Sequence, residues 1–260
     1  MKKLALLLLA VSWLTFSCSD DEDTPVVANF TATVTGEAPN AQVTIVNTST
    51  GADTYLWTFS EGTANATSTQ QNPGVITVDK VGTFSITLEA SKGSSKNTKT
   101  VDVTITGKNP VVTYTDVEFA MSGGSTTYGR LFSFADGKIY KDNELNATVG
   151  PKINLAFGSL SNSVLFFESP TESGYNVPGA VATKVMNYEA TPSISTSDFD
   201  AMVDDSKLAP LTINDTNDSF GSSSIPNTVL FQLSTGRKGV IKTKAVNASR
   251  ILVDIKIQKY

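Results

Sequence analysis

Few side chains in this chain can do chemistry, and their types decide much of the argument. The sequence contains no histidine. That removes Ser-His-Asp and Cys-His catalysis, histidine-ligated zinc and the usual general base near neutral pH. Cys18 is the only cysteine, so no disulfide can form within the chain. Carboxylate chemistry remains open, because a glycosidase needs only two acids at a fixed separation. Glu118, Asp136, Glu144 and Glu168 are the acids that could serve, and the sequence alone pairs no two of them. Asp215-Thr216-Asn217-Asp218-Ser219 alternates oxygen ligands as a calcium loop does. Phe220 stands where such a loop needs glycine and no closing glutamate follows, so the segment reads as polar surface. Gly236-Arg237-Lys238-Gly239 lacks both the spacing and the following helix of a phosphate loop and reads as a hairpin turn. Tyr175 and Asn176 lie in the Gly/Pro-rich run 173–179. Strand burial does not explain an aromatic there, and loops carry function more often than core strands do. Both residues are ligand-binding candidates, with Tyr175 as a ring for sugar stacking.

The amino-terminal segment gives an address. Lys2 and Lys3 precede an apolar run from Leu4 to Leu14, and Thr15-Phe16-Ser17 leads into Cys18. This is the pattern of a secretory signal over residues 1–17, too short for a bilayer span of about 20 residues. A lone cysteine directly after it resembles the lipobox of bacterial lipoproteins, although Phe16 is bulkier than the strictest form. The resemblance implies lipidation at Cys18 and hence a membrane partner through an acyl anchor. An ordinary secretory cut that leaves a free thiol is the alternative. Ser19-Asp20-Asp21-Glu22-Asp23 has no apolar residue to fold around, so residues 18–25 form a solvated acidic tether. The run also resembles the acidic export signal of Bacteroidetes-type lipoproteins. That likeness implies the bacterial outer membrane, with the protein facing the extracellular side.

With 260 residues the chain has room for two domains. Its 40% hydrophobic and 17% charged content, rich in Thr, Ser, Asn and Val, suits half-buried sheet. A net charge of -5 without basic clusters argues against nucleic acid as a partner.

Residues 26–107 alternate apolar and polar positions in short runs between turn residues. Phe30, Ala32 and Val34 share a strand face, as do Val43 and Ile45, and Tyr55, Trp57 and Phe59 aim three rings at one core. Phe84, Ile86, Leu88 and Ala90, then Val101, Val103 and Ile105, complete an antiparallel sandwich. Tyr55-Leu56-Trp57-Thr58-Phe59, Asn72-Pro73 and Gly82-Thr83-Phe84-Ser85-Ile86-Thr87-Leu88 together resemble the PKD domain. The resemblance implies an immunoglobulin-like fold that serves as a spacer or adhesive module. Thr58, Ser60 and Glu61 depart from the signature Asp, Gly and Asp, and Trp57 is read as core.

Lys108-Asn109-Pro110 reads as a short linker, and residues 112–260 return to strand patterns. Val117, Phe119 and Met121 alternate. Phe132-Ser133-Phe134 meets an Asp136-Gly137 turn. Ile153, Leu155 and Phe157 alternate, and Val164-Leu165-Phe166-Phe167 is apolar on both faces and is expected at a sheet centre. Val229, Phe231 and Leu233, the return through Ile241 and Thr243, and Ile251 to Ile257 follow. Ser195-Thr196-Ser197 caps one short helix with Phe199, Met202 and Val203 on its apolar face, and residues 212–224 read as a surface loop. The hairpins at 132–138 and 230–239 and the strand 153–157 weakly resemble HmuY-like haem-binding lipoproteins. That likeness implies haem as an alternative cofactor, with Met121 and Met186 as axial candidates. Met121 and Met202 also read as core.

The expectation is an all-β chain: a PKD-like sandwich followed by a second antiparallel β domain with one short helix. Its expected role is a non-enzymatic surface lipoprotein that binds an extracellular polysaccharide or partner protein through residues 112–260. Haem capture is the alternative, and a carboxylate-dependent glycosidase comes third.

Overall fold

The computed structural model describes residues 24–260 except 162, 173, 217, 222 and 224–227. The signal segment, Cys18 and all but the last two tether residues lie outside the described residues. The chain is mostly β, with antiparallel sheets and one short α-helix among the described residues.

The first seven strands are β1 (Phe30–Thr35), β2 (Ala41–Asn47), β3 (Thr54–Phe59), β4 (Thr67–Ser68), β5 (Gly74–Val78), β6 (Gly82–Lys92) and β7 (Ser95–Ile105). They form two sheets, ordered β1-β2-β5 and β4-β3-β6-β7. The period-two alternation turns Phe30, Val43, Ile45 and Val78 of one sheet onto Trp57, Phe84, Ile86 and Leu88 of the other. Trp57 is fully buried at the centre, edge-on to Phe30 with ring centroids 5.0 Å apart. Its indole N–H donates to the carbonyl of Gln70 at 2.8 Å, so the core ring leaves no polar atom unpaired.

The remaining strands are β8 (Val111–Ala120), β9 (Leu131–Ser133), β10 (Lys138–Tyr140), β11 (Leu155–Ser161), β12 (Val164–Glu168), β13 (Thr183–Met186), β14 (Thr228–Leu233), β15 (Lys238–Val246) and β16 (Arg250–Gln258). A four-stranded sheet β10-β9-β11-β12 faces a five-stranded sheet β13-β14-β15-β16-β8. Between them lies an aromatic core in which Phe119, Phe132, Phe157, Phe167 and Phe231 are essentially inaccessible. Each sheet also buries part of its outer face. Helix α1 (Thr196–Ala201) and the loop after it lay Phe199, Met202, Leu208 and Ile213 on Leu230 and Val240. On the other side, Tyr175 and Ile153 cover Leu131 and Ala156 of the four-stranded sheet.

This double covering corrects one expectation. Residues 164–167 are apolar on both faces, yet β12 ends its sheet. Leu165 and Phe167 enter the inter-sheet core, while Val164 and Phe166 lie half-buried on the outer face. The free edge is closed by a side chain: Asn187, just after β13, accepts from the Phe167 N–H and donates to the Phe167 carbonyl, both at 2.7 Å. One amide thus takes the place of a ladder pair across the seam between the two sheets.

The helix is shorter than its apolar residues suggested. Of the cap candidates Ser195 is the N-cap, and it forms a capping box with Asp198, but Met202 is already extended, so Val203 turns outward with 78% of its surface exposed. The C-terminal carbonyls of α1 are satisfied by the buried Lys256, which donates to Phe199 at 2.7 Å and Met202 at 2.8 Å. The 212–224 loop is also less free than expected, because Ile213 is buried and Phe220 pairs with Leu165 through mutual backbone bonds at 2.9 Å. The 108–110 linker is pinned. Asn109 donates through its backbone and side-chain amides to the Asp205 carboxylate, at 3.0 and 3.2 Å, and its side-chain oxygen Oδ1 accepts from the Val81 N–H at 2.9 Å.

Candidate functional site: a groove along the sheet seam

The outer face of β11 and β12 holds the chemistry-bearing side chains that come closest together. Gly158 lies directly opposite Phe166. A Cβ at 158 would fall 2.4 Å from the Phe166 ring and 3.0 Å from the Tyr175 hydroxyl, so only glycine lets both approach. Two residues on, Glu168 points to the same face. Tyr175 arrives from the loop beyond β12, where its N–H donates to the Glu172 carbonyl at 3.1 Å and the next residue, Asn176, takes a left-handed φ of 52°. That turn sends the Tyr175 ring inward and leaves Asn176 exposed.

Tyr175 is therefore not an open stacking platform. It is 4% exposed, its hydroxyl donates to the Glu168 carboxylate, and the Arg130 guanidinium covers its ring at 4.5 Å from the centroid. The fork of Arg130 is itself held by Asp142, through Nε at 2.9 Å and Nη2 at 2.8 Å, and it also reaches the Gly174 carbonyl. Burial pushes the Glu168 carboxyl above the usual glutamate range, and the hydrogen bond from Tyr175 only partly opposes this. Burial, and then the adjoining Glu168 carboxylate, raise the Tyr175 phenol far above its ordinary value, so it stays protonated and donates. Met121, Arg130, Phe166, Glu168 and Tyr175 line a cleft of about 150 Å³.

Two further hollows continue from this cleft. One of about 170 Å³ shares Phe166 and Glu168 with it and adds Ser169, Glu172, Asn187 and Asp215. The next, about 450 Å³, shares Ser169, Glu172 and Asp215 and runs on past Lys184 to Gln232 and Gly236. The second and third follow the seam between β12 and β13, the first opens beside them on the outer face of β11 and β12, and shared wall residues join the three into one groove. Its walls carry hydroxyls, amides and carboxylates, and the half-buried Phe166 ring lies where the first two hollows meet.

The other predicted residues scatter. Glu118 pairs with Arg250. Asp136 accepts from Tyr140 at 2.8 Å and from Lys152 at 3.1 Å, and Glu144 accepts from the Lys141 N–H at 2.7 Å. None of these three lines the Glu168 cleft; the acids that share a hollow with Glu168 instead include Glu172 and Asp215. Met121 packs in the core between the sheets. Met186 packs against the outer cluster with Phe199, on the opposite face of the five-stranded sheet, and Met202 is buried in that same cluster. Met121 and Met186 thus cannot flank one haem iron, and the residues present do not fit an axial pair drawn from them. Among the described residues no group of three Asp, Glu, His or Cys could hold a metal ion. Within the 215–219 run, Asp215 instead accepts from the Val185 N–H at 3.0 Å.

Sequence reasoning missed Phe166 and Arg130. The apolar run around Phe166 reads as a sheet centre, and Arg130 carries no local pattern. The one available signal was Gly158 between strand residues, since an isolated strand glycine marks a close approach by another group. No protein-family model and no curated protein matches this chain. Among the described residues no helix is long and apolar enough to cross a membrane.

Proposed function

We propose that this chain is a non-enzymatic, lipid-anchored surface protein that binds an extracellular polysaccharide or partner protein in the seam groove of residues 112–260. The sandwich before it, which resembles a PKD domain, serves as the spacer. The supporting observation is the run of three hollows joined by shared wall residues, from Arg130 and Phe166 to Gln232. Small-molecule sites are lined mainly by apolar and aromatic side chains, whereas these walls are rich in hydroxyls, amides and carboxylates and suit an extended polar chain. Of the two ligand classes, polysaccharide fits better, because hydroxyls match walls that offer both donors and acceptors. The anchor rests on Cys18 and the segment before it.

Two experiments test the reading. Palmitate labelling of cells expressing the chain should mark the wild type and not Cys18→Ser. A glycan array and a pull-down with the secreted Cys18→Ser form should return a ligand whose binding weakens in Phe166→Ala. Binding that is indifferent to Phe166→Ala and to Glu172→Gln would remove the groove from the proposal.

A further inference from the structure

We propose that the first sandwich carries a second binding site, for uncharged, hydroxyl-rich ligands of the neutral oligosaccharide class. The site is a cleft of about 360 Å³ between the open edges of the two sheets, where β4 ends one and β5 ends the other. Phe59 and Ile76 form part of its apolar surface, and Asn65, Thr67, Gln70 and Thr77 supply polar groups. Every residue lining it is uncharged, in contrast to the seam groove with Glu168, Glu172 and Asp215.

Two further observations support this assignment. Among the described residues the side chains of Asn65, Thr67, Gln70 and Thr77 make no hydrogen bond, so their donors and acceptors are free for a ligand. A free amide offers both a donor and an acceptor, which matches sugar hydroxyls that do the same. Stripping water from such neutral groups costs far less than desolvating a charge. The loop that presents Gln70 is also fixed from behind: the Gln70 carbonyl accepts from the Trp57 indole at 2.8 Å, and the Asn47 amide donates to the Gln71 carbonyl at 2.8 Å. The backbone at 70–71 is thus ordered in advance, and binding has to fix the side chains alone.

A peptide strand fits this cleft less well. β4 has only two residues. At the far end of β5 the edge is already occupied, because Val78 bridges Thr63 and the Asp79 N–H donates to the Gly62 carbonyl at 3.0 Å. No continuous ladder is left for strand addition. An anionic ligand would meet no cation among the lining residues.

The test is an NMR titration of the ¹⁵N-labelled full chain in its Cys18→Ser form with neutral glucan, mannan and xylan oligosaccharides, plus a sulfated glycan and an unstructured peptide as controls. At least one neutral oligosaccharide should shift amides in 59–77, with an affinity unchanged between low and high salt. Gln70→Ala and Asn65→Ala should each weaken it by about two- to tenfold, the worth of a neutral hydrogen bond, while Phe166→Ala in the other groove leaves it unchanged. The proposal is overturned if no neutral oligosaccharide perturbs 59–77, if both amide variants bind like wild type, or if only the peptide or the sulfated glycan shifts these residues.

Discussion

Glu168 and Tyr175 show how one pair of side chains sets a local pH response. Burial raises the Glu168 carboxyl above its unfolded value, so on raising the pH the unfolded chain releases this proton first. The folded state then holds more protons than the unfolded one, and stability falls as pH climbs from the ordinary glutamate range through the raised value. Glu168→Gln should abolish that decline, read from chemical denaturation midpoints across a pH series running upward from the ordinary glutamate range. Tyr175→Phe keeps the ring under Arg130 but strips Glu168 of its donor, and should cost about 1.5 kcal/mol in denaturant unfolding. Neither partner could be paired from sequence. Glu168 lies seven positions from Tyr175 across a turn, and Arg130 is 44 positions from Gly174, whose carbonyl it holds.

At the scale of elements, two buried side chains do work that backbone ladders usually do. Asn187→Ala should leave the Phe167 N–H and C=O without partners and cost about 3 kcal/mol, measured by urea titration, as two orphaned backbone groups predict. Lys256→Met keeps the stem but removes the donor from the Phe199 and Met202 carbonyls. Faster hydrogen exchange in α1 and a loss of about 2 kcal/mol should follow. The strands themselves were largely legible, because alternation such as Phe84, Ile86, Leu88 and Ala90 records a half-buried face directly. The position of β12 was not. A strand covered by a second sheet on one side and by a loop on the other has the same apolar pattern as a central strand, and only its neighbours distinguish them. Val203 failed for a related reason: helical periodicity continued in the sequence after the backbone had already turned extended.

At the scale of the whole molecule, the junction between the two halves is a hydrogen-bonded hub. Asp205, nearly fully buried, accepts from Asn109 and from the Gln258 amide at 3.0 Å. Asp79 of the first half accepts from Lys259 and from the Tyr260 hydroxyl of the second. Asp205→Ala should strand these donors and lower stability by about 3 kcal/mol. The variant should also broaden spin-label distances measured between the halves. The Asp79 contact adds a pH signature. Burial pushes its carboxyl up, yet the bonds from Lys259 and Tyr260 outweigh this and hold it below the ordinary aspartate range. Its contribution is complete above that range and is lost as pH falls through the lowered value. The same spin-label distances should therefore stay narrow at neutral pH and spread in strong acid, and Asp79→Asn should spread them at every pH.

The pinned linker also defines a load path. The Asp205 and Asp79 contacts run alongside the Lys108–Pro110 backbone as separate connections between the halves. Because these contacts lie in parallel with the linker, tension between the halves is shared among the Asp205 bonds, the Asp79 bonds and the backbone itself.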